Sequence, residues 1–119
     1  MANILLAEDD DSMRLFLARA LERAGHSVIS VAQGDEALPV LAEQRFDLLL
    51  ADIVMPQMDG IELARRAVAI DARIRVMFIT GFAAVALKNR RVGETDARVL
   101  SKPFHLRDLV AEVEKVLAA

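Results

Sequence analysis

Five side chains in this sequence have the chemistry to act together on one small anionic group: the carboxylates of Glu8, Asp9 and Asp52, the hydroxyl of Thr80 and the ammonium of Lys102. Asp52 is the most informative. It follows Leu48-Leu49-Leu50-Ala51 and precedes Ile53-Val54-Met55-Pro56-Gln57-Met58-Asp59-Gly60. An apolar run without polar alternation reads as a strand buried on both faces. Pro56 and the Asp59-Gly60 pair then turn the chain before the next helical pattern. An acid at the carboxyl end of such a strand stands where open α/β sheets place their chemistry. Three carboxylates gathered there repel one another and need a compensating charge. A hard divalent cation with oxygen ligands supplies it, Mg²⁺ first, because it works with few carboxylates, water and a phosphate, and Mn²⁺ in its place. Lys102 offers a positive charge to a phosphate oxygen, Thr80 a hydrogen-bond donor, and Gly81 no side chain in the way. A nucleophile, a metal and a cation for equatorial charge are the parts phosphoryl transfer needs. Asp52 is read as the acceptor of the phosphoryl group.

These groups meet only if the intervening elements bring strand ends to one edge. Short apolar runs predict strands over residues 3–7, 28–31, 48–51, 75–79 and 99–101. Between the first two, Met13, Phe16, Leu17, Ala20, Leu21 and Ala24 recur at helical spacing, capped by Asp10 or Asp11 and ended by Gly25. Gln33-Gly34-Asp35-Glu36 opens a second helix carrying Ala37, Leu38, Leu41 and Ala42, with Pro39 inside it to kink it or delay its start. A third helix is expected over 60–69 and a short one over 83–88. Residues 89–96 are polar and aperiodic, which reads as loop. A last helix has its apolar face at Leu106, Leu109, Val110, Val113, Val116 and Leu117. Strands alternating with helices imply a doubly wound α/β fold, a five-stranded parallel sheet with helices on both faces. All strand carboxyl ends then open on one edge, with Glu8 and Asp9 from the first strand, Asp52 from the third, Thr80 from the fourth and Lys102 from the fifth.

The totals agree with one ordinary domain of 119 residues. A net charge of −3 gives no electrostatic grip on nucleic acid or anionic lipid. Cysteine is absent, which excludes disulfides and thiolate metal sites. No apolar run reaches the length of a membrane span and no signal-peptide pattern opens the chain, so the expected compartment is the cytoplasm. Taken singly, the site residues have plainer readings: an acid run as a helix cap, Asp52 as a turn residue, Lys102 as a solvated charge. Their joint occurrence at strand ends is what those readings leave unaccounted for.

The motifs together resemble a known family. Glu8-Asp9, Asp52 followed by Met-Pro-x-Met-Asp-Gly, Thr80-Gly81 and Lys102-Pro103-Phe104 match, in order and spacing, the receiver domain of two-component response regulators, and the match spans the whole chain. The resemblance implies strand order 2-1-3-4-5, Asp52 as phosphoacceptor, and Mg²⁺ held by Asp9, Asp52 and the Val54 carbonyl, with Glu8 acting through water. It implies that Thr80 reports phosphorylation, that Lys102 pairs with the phosphate and that the bond before Pro103 is cis. The phosphodonor would be a histidine kinase or histidine phosphotransferase. Thr80-Gly81-Phe82-Ala83-Ala84-Val85-Ala86-Leu87 and the stretch around Lys102 also resemble CpdR-type stand-alone receivers, which implies a downstream protein partner, the ClpXP protease, cell-cycle proteolysis as the output, and no output domain within residues 1–119.

The sequence departs from the family at one switch position. The family usually carries Tyr or Phe three residues before the lysine, and here Val99 stands there, so the expected switch group of Thr80, Val99 and Phe82 lacks its aromatic rotamer. The signal is then expected to travel through the backbone around Thr80 to Phe82 and the 89–96 segment. Val54 and Phe82, apolar at positions that influence the hydrolytic water in receivers, imply slow self-dephosphorylation. Two other functions use related parts. A phosphate-independent pseudo-receiver would not need the complete acid, Thr and Lys set. An aspartyl-nucleophile phosphatase commonly needs a second acid two residues after the nucleophile, where this chain has Val54.

Overall fold

The computed structural model describes residues 1–81 and 98–118. Its elements alternate in chain order: β1 (Asn3–Ala7), α1 (Asp11–Arg23), β2 (Ser27–Val31), α2 (Gly34–Glu43), β3 (Leu48–Asp52), α3 (Gly60–Ile70), β4 (Arg75–Thr80), β5 (Arg98–Ser101) and α4 (Leu106–Ala118). The helix expected over 83–88, the loop over 89–96 and Phe82 lie outside the described residues. The strands form one five-stranded sheet in the order β2-β1-β3-β4-β5, and every pairing is parallel. This is the doubly wound α/β fold that the alternation predicts.

The sheet separates two apolar layers, because successive strand residues point to opposite faces. Leu5, Ala7, Leu49, Ala51 and Phe78 face α2 and α3, where Ala37, Leu41, Ile61, Ala64 and Ala67 meet them. Ile4, Leu6, Leu48, Leu50, Met77 and Ile79 face Leu17 and Leu21 of α1 and Leu109 and Val113 of α4. β3 is buried at all five positions. At about 1.5–3 kcal/mol for each fully buried large side chain, the central strands fix the scaffold on which the strand ends stand.

Two details differ from the sequence reading. Phe16, expected on the apolar face of α1, is 61% exposed, because the buried stripe runs through Leu17 and Leu21 and leaves Phe16 a turn's flank away. Pro39 does not delay its helix: α2 begins at Gly34 and continues through it. The carbonyl deprived of a partner, four residues earlier, belongs to exposed Asp35, where water can serve it. The helix start is instead fixed by Glu36, whose carboxylate accepts the backbone N–H groups of Ala32 (2.9 Å) and Gln33 (3.3 Å). Among the described residues, no helix is long and apolar enough to cross a membrane.

Candidate functional site

The carboxyl ends of β1, β3, β4 and β5 converge because register aligns them. Ala7 pairs with Ala51, Asp52 with Ile79, and Thr80 with Ser101. Glu8, Asp52 and Thr80 are thereby buried, while Asp9 is exposed at the mouth. Single carboxylate oxygens of Glu8, Asp9 and Asp52 all lie within 4.8 Å of one another.

Lys102 binds two of these acids at once. Its Nζ donates to Asp52 Oδ2 at 3.0 Å and to Glu8 Oε1 at 3.0 Å. The peptide bond between Lys102 and Pro103 is cis. The lysine's own backbone N–H donates to the Thr80 carbonyl at 2.8 Å, which ties the lysine's backbone to the last residue of β4. The second oxygens are also held: Asp52 Oδ1 accepts the Val54 N–H at 3.1 Å, and Glu8 Oε2 accepts the Asp10 N–H at 3.1 Å. Asp9 makes no comparable bond or ion pair among the described residues, which leaves its carboxylate available to a ligand.

The electrostatics follow from burial and pairing. Burial pushes the Glu8 carboxyl up to about 7, and the neighbouring Asp52 charge adds to this, while the Asp10 N–H and Lys102 pull against it. Burial alone would lower the Lys102 ammonium, but its hydrogen bonds to Asp52 and Glu8 outweigh it and hold the group above the usual lysine range. One ammonium therefore faces three acids, and the deficit of positive charge is what a divalent ion would fill. The donor set is all oxygen, as Mg²⁺ prefers, and the 4.8 Å spread compares with about 4.2 Å across an Mg²⁺ octahedron, twice its metal–oxygen distance.

The β3–α3 loop that frames Asp52 is shaped by close packing. A methyl at Gly60 would overlap the Asp52 carbonyl oxygen and sit 2.9 Å from its carbon. Gly60 is thus the residue that lets α3 start against the back of the acid, with its N–H bonded to the Ile53 carbonyl at 2.9 Å. Asp59 caps the helix by accepting the Glu62 N–H at 2.8 Å. Gln57 takes a left-handed backbone, φ 71°, a conformation that costs about 1–2 kcal/mol for a side chain with a Cβ. Val54 is 53% exposed beside the mouth.

The structure thus brings together Glu8, Asp9, Asp52, Thr80 and Lys102, and places Val54 at the entrance. Val99 lies on β5, with β4 between it and the strand of the acid, half-buried against the α2–α3 layer. Phe82 lies outside the described residues. Sequence reasoning missed Arg14, whose Nη1 donates to the Glu8 carbonyl at 2.9 Å. A partial signal existed: Arg14 and Asp11 stand three apart in the first turn of α1, the spacing of a side-chain pair, and they bond at 2.6 Å.

The chain matches the response regulator receiver domain family over residues 4–114. It is 61% identical over 119 residues to the response regulator receiver protein CpdR of Brucella abortus, covering 100% of this chain and 99% of that one. Among solved structures, the receiver domain of the hybrid histidine kinase CckA superposes with a TM-score of 0.83 at 34% identity, over 97% of this chain and 98% of that one. A CheY-like receiver domain protein from Methanospirillum hungatei gives 0.90 at 26% identity, over 99% and 94%. With nearly every residue inside the family match and a curated relative aligned end to end, this chain belongs to the response regulator receiver domains of two-component signalling.

Proposed function

We propose that this receiver is switched by transfer of a phosphoryl group to Asp52. The observation that carries the reading is the shared ammonium: Lys102 lies 3.0 Å from both Asp52 and Glu8 at the mouth of an acidic group. In the transfer, an Asp52 carboxylate oxygen attacks the phosphorus of a phosphohistidine on a kinase or phosphotransferase. The P–N bond breaks, the imidazole leaves with its electron pair and takes a proton, and an acyl phosphate remains. Lys102 would exchange its carboxylate partners for a phosphoryl oxygen, and Thr80, at the end of the adjacent strand, would offer its hydroxyl. Asp9, Asp52 and the Val54 carbonyl would hold Mg²⁺, with Glu8 acting through water. The ion would offset charge on the transferring group.

The finer reading follows the likeness to CpdR. The chain acts as a stand-alone cytoplasmic receiver whose unphosphorylated form engages the ClpXP protease. Its role is that of a signalling module, with self-phosphotransfer and self-dephosphorylation as its only chemistry. Incubation with acetyl phosphate and Mg²⁺ tests the core of this. Intact mass should rise by one phosphoryl group, and the gain should vanish in Asp52→Ala. A wild-type chain left unmodified under saturating Mg²⁺ would overturn it in favour of a phosphate-independent adaptor. Capture of ClpX by wild type and Asp52→Ala, each with and without phosphodonor, tests the downstream reading.

A further inference from the structure

We infer that Arg14 is a positioning residue for the metal-binding acids: from α1 it holds the Glu8 carbonyl and so sets the direction in which Asp9 presents its carboxylate to a divalent cation. This rests on the reading of Glu8, Asp9 and Asp52 as the cation site. The Glu8 carbonyl lies one residue beyond the end of β1, and the Glu8 N–H makes the last ladder-like bond, to the Val31 carbonyl at 3.1 Å. The carbonyl itself is taken by Arg14 Nη1 at 2.9 Å, while Arg14 Nη2 reaches Asp11 Oδ1 at 2.6 Å. The Arg14 side chain is 21% exposed.

The consequence is geometric. The Glu8 carbonyl and the Asp9 N–H belong to one planar peptide unit, so fixing the carbonyl fixes the plane from which the Asp9 Cα departs. The residues on either side are already committed. The Glu8 carboxylate takes the Asp10 N–H and Lys102, and the Asp10 carboxylate caps α1 by accepting the Met13 N–H at 2.9 Å. Asp9 is the one acid of this loop that is both exposed and without such a bond among the described residues, so its aim depends on the peptide plane that Arg14 secures. A guanidinium suits the task because its planar fork presents two donors at fixed geometry to two acceptors.

The test measures Mg²⁺ affinity directly, by calorimetry and by the metal dependence of amide NMR shifts at Asp9 and Asp10. Arg14→Ala should weaken Mg²⁺ binding about tenfold, the low end of the loss seen when groups orienting metal ligands are removed. Arg14→Lys, with one donor centre, should fall between the two. The Mg²⁺ concentration for half-maximal labelling by acetyl phosphate should rise by the same factor, with the maximal rate at saturating Mg²⁺ retained. A residue that merely stabilised the fold would lower the metal-free melting temperature without moving the Mg²⁺ affinity. Arg66→Ala, removing a surface arginine paired to Glu62 on α3, should leave both unchanged. Unaltered affinity in Arg14→Ala overturns the inference, and tighter binding does so too, since it would show the guanidinium competing with the cation. If Mg²⁺ titrates as expected but Asp52 is never labelled, the phosphorylation reading falls and the positioning role stands.

Discussion

Replacing Lys102 by Met keeps the aliphatic stem and removes the one charge that Glu8 and Asp52 share. Both acceptor oxygens lie 3.0 Å from the same nitrogen, so they are at most about 6 Å apart, and at an effective dielectric of about 20 two unit charges at that distance repel by about 3 kcal/mol. The variant escapes part of this by protonating Glu8, which is already raised to about 7. At pH 8 that proton must be taken from a dilute supply; at pH 6 Glu8 mostly carries it. We expect Lys102→Met to be destabilised by about 3 kcal/mol at pH 8 and by about half that at pH 6, within the cost of breaking a buried pair. For 119 residues the unfolding entropy is about 250 cal/mol/K, so 3 kcal/mol lowers the melting temperature by about 12 °C. The chain has no Trp or Tyr, so the melt is followed by far-ultraviolet circular dichroism. Mg²⁺ should recover more stability in the variant than in wild type, about 2.7 kcal/mol at a hundred times its dissociation constant. Equal destabilisation at both pH values, or no differential effect of Mg²⁺, would refute the shared-ammonium account.

Glu8→Gln should change how metal-free stability depends on pH. A carboxyl raised from 4.5 to about 7 takes up a proton on folding, so its contribution is present below pH 4.5 and lost as pH rises through 7, up to about 3 kcal/mol; chemical denaturation in EDTA at pH 5.5 and 8 should show this difference in wild type and a smaller one in the variant. His26 is buried, its Nδ1 accepting the Ala2 N–H at 3.1 Å and its Nε2 2.7 Å from Glu114 Oε2, so His26→Phe should cost about 2 kcal/mol by orphaning that N–H and cutting the tie to α4. Glu114→Gln, which still offers an oxygen, should cost less than half of that, and equal losses in the two melts would contradict the assignment. Addition of beryllofluoride with Mg²⁺ should move the amide signals of Thr80, Gly81, Ser101 and Lys102 strongly and the methyls of Val99 weakly; the reverse pattern would exclude a backbone route for the switch.

The fold was legible where burial is two-sided. Leu48–Ala51 and Asn3–Ala7 read as strands because both faces of a central parallel strand are covered, so the apolar run from Ile4 and from Leu48 is unbroken. Strand order was not legible in the pattern, because alternating strands and helices fit several right-handed topologies and the order came from the family resemblance. At the site, residue types at strand ends pointed to Glu8, Asp9, Asp52, Thr80 and Lys102. What they could not show is that one ammonium spans two acids, which depends on the Thr80–Ser101 register bringing Lys102 opposite β3. The His26–Glu114 bond joins residues 88 apart in sequence, and no local signal exists for it. Gln57 was hidden for another reason: a left-handed φ at a residue that rarely adopts one is imposed by the loop, against local preference. Phe16 misled because helical spacing places it beside the apolar stripe, and only the packing partners decide which edge is covered.

The same geometry constrains how a phosphoryl group could act without an aromatic switch. The group adds about −1.5 to −2 charges, and it can shift a conformational equilibrium only by binding one state better than the other. Inverting a 1:99 ratio takes a difference of about 5.5 kcal/mol. Val99 offers little of it: the side chain packs against the α2–α3 layer opposite Phe78 in the β4–β5 ladder, and a β-branched residue has few rotamers to exchange. Lys102 offers more, because drawing its ammonium from Glu8 to a phosphoryl oxygen releases a buried carboxyl already poised to protonate. The displacement has a defined outlet, since the lysine N–H is bonded to the Thr80 carbonyl at 2.8 Å and Thr80 ends β4. A pull on the lysine is therefore a pull on the backbone that leaves the sheet at Gly81. On this argument the valine at 99 keeps the core beneath β5 rigid, so that movement is confined to the strand ends where the charge changes.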